Sequence, residues 1–107
     1  MPKNYYVVHS NPVEGREDEY NDWYTNQHLK DVIAVPGFVS AQRYIASDVN
    51  EDAPFRYMAL YELEGDATEA LARMSEAVAQ GMVLSDSLHT TFSAVVYDEL
   101  TPLITND

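Results

Sequence analysis

The chain has 107 residues, a formal net charge of −12 from 18 acidic and 6 basic side chains, and no cysteine. The length fits one domain spanning residues 1–107, and so short a chain gains from burying further surface by self-association. Disulfides, thiolate metal sites and a cysteine nucleophile are excluded. The acidic balance also argues against nucleic acid and anionic membrane surfaces as partners. The stretch MPKNYYVV lacks the apolar run of a signal peptide, and no segment approaches the ~18 apolar residues of a membrane span. The expected location is the cytoplasm.

Asn4 to Ser10 (NYYVVHS) reads as a strand from its β-branched and aromatic residues. Tyr5, Val7 and His9 share one face, and Tyr6, Val8 and Ser10 share the other. Asn11 and Pro12 suit a helix start, with Glu14 at capping-box spacing from Asn11. Gly15 places the regular helix from about Arg16 to about Val32. Pro36 and Gly37 then stop it.

The face of this helix carries most of the information. Tyr20, Trp23, Tyr24, Gln27, His28, Asp31 and Val32 recur at i, i+3, i+4, i+7, i+8, i+11 and i+12, the spacing of one stripe. The stripe begins aromatic and ends with an amide, an imidazole and a carboxylate, as the wall of a pocket would. The plainer alternative puts Gln27 and Asp31 in water at a rim and makes His28 a packing residue.

Phe38 to Ala46 (FVSAQRYIA) is the second strand, and Ser47 to Pro54 a polar hairpin loop. Phe55 to Glu64 (FRYMALYELE) is the third strand. Asp66 caps a second helix, with Glu69 three residues on. Ala67, Ala70, Leu71, Met74, Ala77 and Val78 form its buried stripe, and Gly81 suits its end. Leu88 to Leu100 contains the fourth strand. The order β-α-β-β-α-β predicts an α+β, ferredoxin-like fold: a four-stranded antiparallel sheet with both helices on one face. Both faces of each strand are largely apolar or aromatic. A sheet of this kind needs a second cover, which two copies packing sheet against sheet would supply.

The motifs Tyr20-x-x-Trp23-Tyr24-x-x-x-His28, Val35-Pro36-Gly37-Phe38, Arg43-Tyr44 and Tyr57-x-Ala59-Leu60-Tyr61-Glu62 resemble the dimeric α/β-barrel superfamily, most of all its EthD-like branch. More distant relatives are cofactor-free antibiotic-biosynthesis monooxygenases, polyketide cyclases and muconolactone isomerases. The resemblance implies a homodimer formed through the sheet face. It also implies one pocket per subunit, between sheet and helices, for a small aromatic or hydrophobic molecule. Only His28 carries over by position, as the histidine late in the first helix.

The expected activity is cofactor-independent acid/base chemistry (lyase, dehydratase or isomerase) on a small aromatic or polyketide-like compound, with no metal. His28 is the expected acid/base, since imidazole is readily tuned to shuttle protons near neutral pH. Tyr24, one turn earlier, would assist. Tyr5, Val7, His9, Trp23, Tyr20 and Asp31 are the expected substrate-binding residues, with Tyr6 the alternative if strand one turns its other face inward. Asp31 either holds the imidazole tautomer or is a solvated helix end. His9 and His89 could approach one another, but a metal would need a third ligand such as Asp86. A cofactor-free monooxygenase and a non-catalytic binding protein are the rival functions.

Overall fold

A computed structural model describes residues 3–106. Strand β1 (Asn4–Ser10) leads into a helical run of three parts: α1 (Glu17–Trp23), a single π-helical turn (Tyr24–His28) and α2 (Leu29–Ile33). Then come β2 (Phe38–Ile45), β3 (Tyr57–Leu63), α3 (Ala67–Ala79) and β4 (Ser93–Asp98). The sheet order is β2-β3-β1-β4 with every neighbouring pair antiparallel. The fold is ferredoxin-like, as the element order predicts.

Local chemistry sets the boundaries. Asp66 caps α3, its carboxylate accepting from the amides of Thr68 (2.8 Å) and Glu69 (3.3 Å). The expected Asn11–Glu14 capping box does not form. Arg16 occupies the N-cap of α1 without a side-chain cap bond, and Asn11 instead bridges strand ends, donating to the Pro54 carbonyl and accepting from the Arg56 amide. Glu17, Asp18 and Glu19 fill the first turn of α1, where the helix dipole favours negative charge. Gly37 turns the chain into β2 at φ 102°, a left-handed conformation that side chains resist. A Cβ there would lie 2.8 Å from the Ala70 Cβ, so α3 packs against bare backbone.

Pairing fixes which face of each strand meets the helices. One set of cross-strand rows runs Ala41–Tyr61–Tyr6–Val96 and Arg43–Ala59–Val8–Ala94, and it contributes Tyr61, Ala59, Tyr6 and Val8 to the core. The opposite rows run Gln42–Leu60–Val7–Val95 and Ser40–Glu62–Tyr5–Tyr97. An irregularity between Phe38 and Ser40 rotates Phe38 onto the helix side, where it is buried with Tyr61 and Tyr6. The core is Tyr20, Trp23, Tyr24, Val32, Val35, Phe38, Ala59, Tyr61, Leu63 and Ala70.

Candidate active site

The first helical run carries the site, and its π-helical turn lies at the centre of it. Within that segment the Leu29 amide bonds to the Tyr24 carbonyl, an i to i+5 pairing that widens one turn. Tyr24, His28 and Val32 line one cavity, while Gln27 is exposed. The imidazole of His28 is held on two sides. It stacks on the Trp23 indole (centroids 4.6 Å, planes 26° apart) and meets Tyr24 edge-on (4.9 Å, 89°). Trp23 is itself anchored, its Nε1 donating to the Val83 carbonyl at 3.2 Å.

Beside the imidazole lies a cavity of about 150 Å³. A packed, apolar cavity of that order holds a single benzene ring. Tyr6 and Val8 form the wall on β1, and Tyr61 the wall on β3. Met74 and Val78 come from α3, and Met82, Leu84 and Leu88 from the segment that follows it. Leu84 and Phe92 are half exposed at the rim. The segment after α3 is clamped to the start of α1. The Val13 amide donates to the Ser87 carbonyl, the His89 amide to the Asn11 carbonyl, and Arg16 bonds both Glu19 and Asp86.

Burial decides the protonation states. Desolvation lowers His28 from 6.5 to about 4, with the Asp31 carboxylate pulling the other way and Arg43 adding to the drop. The ring is therefore neutral at pH 7. Its Nδ1 is sealed from water and has no hydrogen-bond partner. A buried polar atom left unpaired costs stability, so such atoms are few in folded chains and cluster where function keeps them. Burial pushes Tyr24 up to about 12, and burial followed by the Tyr24 hydroxyl pushes Tyr61 higher still. Both stay protonated. Behind Tyr24 the Arg43 guanidinium lies 4.6 Å from its ring centre and 5.3 Å from those of Tyr20 and Tyr57. Arg43 donates to Thr25 Oγ1 (2.8 Å) and Asn21 Oδ1 (2.9 Å).

The structure brings together some of the residues expected from sequence and separates others. His28 and Tyr24 share the cavity. Trp23 supports the imidazole without lining the cavity. Tyr20 is fully buried one layer back, hydrogen-bonded to Ser10 Oγ. Asp31 lies nearby but makes no hydrogen bond to the ring, so it does not fix the tautomer. Tyr5, Val7 and His9 are on the opposite face of β1, away from the cavity; the alternative parity, through Tyr6, is the one adopted. His89 lies outside β4, its Nδ1 accepting from the Thr91 amide. Among the described residues no group of three or more His, Asp or Glu is placed to hold a metal ion, and no helix is long and apolar enough to cross a membrane.

Several solved structures share the fold. An EthD family protein from Bacillus halodurans is 14% identical, with 94% of this chain and 100% of that one covered and a TM-score of 0.61. A candidate antibiotic biosynthesis monooxygenase from Nitrosomonas europaea is 15% identical over 94% of this chain and 92% of its own (TM-score 0.65). HapK from Hahella chejuensis is 16% identical over the full length of both chains (TM-score 0.63). No family model and no curated protein matches the sequence. These likenesses show a shared α+β, ferredoxin-like fold. At such identities they define the fold and leave the chemistry to the site.

Proposed function

We propose that this protein is an enzyme that moves a proton on a small aromatic compound, without a cofactor, with His28 as the acid/base and Tyr24 assisting. One observation carries the reading: a neutral imidazole, gripped between Trp23 and Tyr24 with an unpaired Nδ1, borders an apolar cavity. With no partner at Nδ1, neither tautomer is selected, so Nε2 can accept a proton from a substrate or donate one to it. Acceptance breaks a substrate C–H or O–H bond and forms N–H. The enolate or phenolate left behind faces the new imidazolium, and that attraction offsets the desolvation that otherwise keeps the ring neutral. Returning the proton to another carbon gives an isomerase. Delivering it to a departing hydroxyl, which leaves as water, gives a dehydratase.

A second reading is supported by the name of the Nitrosomonas europaea neighbour, a candidate monooxygenase. There the same substrate anion would react with dioxygen. Incubation of candidate enolisable aromatic ketones in deuterium oxide, with and without oxygen, separates the readings. Deuterium uptake or product formation that persists without oxygen supports the acid/base enzyme. Turnover only with oxygen supports the monooxygenase, and tight binding with no change to the ligand supports a binding protein.

The assembly we propose is a homodimer through the outer sheet face. Its central row, Leu60, Val7 and Val95, is apolar, and Val95 and Tyr97 are 42% and 54% exposed in the single chain. Sedimentation at twice the chain mass of 12.1 kDa is the expected result; a monomer at micromolar concentration would contradict it.

A further inference from the structure

We infer that Tyr6 selects the pocket's ligand, and that this ligand is a neutral compound whose enclosed single ring carries a hydroxyl or carbonyl oxygen. The inference rests on the proposed function only in taking the same cavity as the substrate site.

Tyr6 stands in the middle of β1 on the helix side. Its ring is held against Tyr61 (5.9 Å) and edge-on to Phe38 (6.3 Å), so the hydroxyl has a defined position. The Tyr24 and Tyr61 hydroxyls act on each other and Tyr6 acts on both, but Tyr6 is the least buried of the three. The Tyr6 hydroxyl takes no hydrogen bond from any described residue, although the residue lines the cavity. Burial raises its pKa, so it keeps its proton and offers a donor. A half-buried phenol with a fixed ring and an unused O–H is suited to bonding an oxygen on a bound molecule.

The remaining walls set charge and size. None of the residues around the cavity carries a charge at neutral pH, His28 included. Arg43 is spent on Thr25 and Asn21 behind the Tyr24 ring. An ammonium group would lose its hydration with no counter-charge in reach, and a carboxylate would gain one only by protonating His28 against the burial that keeps it neutral. The volume of about 150 Å³ encloses one ring, and any larger ligand must extend past Leu84 and Phe92.

The test is titration of the purified full chain with phenol, toluene, benzoate and benzylamine, read by calorimetry or by ligand-observed NMR. In the wild type, phenol should bind more tightly than toluene, and neither ionised probe should bind measurably. Tyr6→Phe removes one oxygen and keeps the ring, and a thermal melt confirms that it folds. It should weaken phenol about tenfold, the worth of one hydrogen bond, and leave toluene unchanged. Equal effects on both probes, no effect on phenol, benzoate binding more tightly than phenol, or no binding of any probe would each overturn the assignment. No turnover is read. A His28→Gln protein that keeps full turnover would therefore remove the proposed mechanism while leaving this result standing. Turnover that depends on His28 beside phenol binding that ignores Tyr6→Phe would do the reverse.

Discussion

His28→Gln should lower turnover by at least about 100-fold, the low end of what a positioned acid/base contributes. Glutamine approximates the length and polarity of histidine but cannot carry a proton back and forth. Ligand affinity should change little, because most of the cavity wall is unaltered, so the loss should fall on kcat more than on KM. Stability should change little, since the unpaired Nδ1 is removed but so are the stacking on Trp23 and the edge contact with Tyr24, and the glutamine amide brings polar atoms of its own. Wild-type turnover in a folded His28→Gln protein would exclude the imidazole from the reaction.

Acid should weaken the fold through the same residue. Burial lowers the folded pKa of His28 from 6.5 to about 4. Above pH 6.5 the ring is neutral in both states and folding carries no proton linkage from it. As pH falls from 6.5 toward 4, the unfolded chain binds a proton there and the folded chain does not, so stability drops. Below about 4 both states are protonated and the loss levels off. The gap is worth roughly 3 kcal/mol at most, and less because the ring is only partly buried. Carboxylate protonation acts on the wild type and on His28→Gln alike. The difference between their urea-unfolding free energies at pH 7 and pH 4.5 therefore isolates the histidine. Parallel curves would mean that the ring titrates normally, in contact with water.

How much of this was legible in the sequence follows from which patterns were unambiguous. The β-branched and aromatic content of NYYVVHS, the Asp66 cap and the Pro36-Gly37 stop identified elements, because each is local chemistry. The parity of β1 was not legible. Tyr5 and Val7 are as apolar as Tyr6 and Val8, so a period of two offers two equal faces and only the pairing to β3 decides. The setting of Arg43 was not legible either: it lies beneath α1, where three tyrosine rings and two side-chain acceptors satisfy it.

The π-helical turn left no trace in the spacing, since Tyr24, His28 and Val32 fit an ordinary helical stripe equally well. Nor did the roof of the cavity show itself. Met82, Leu84, Leu88 and Phe92 sit in an irregular segment without periodicity, and Leu88 and Phe92 fell within the range read as containing the fourth strand, which begins only at Ser93.

The central claim is that the His28 imidazole is neutral and borders a cavity that an aromatic molecule can enter. Ring-carbon NMR of His28, followed from pH 8 to pH 4.5 with and without phenol, measures both parts at once. Expected are a signal nearly insensitive to pH above about 5 and a saturable shift on adding phenol at pH 7. A midpoint near 6.5 together with no response to phenol would contradict it.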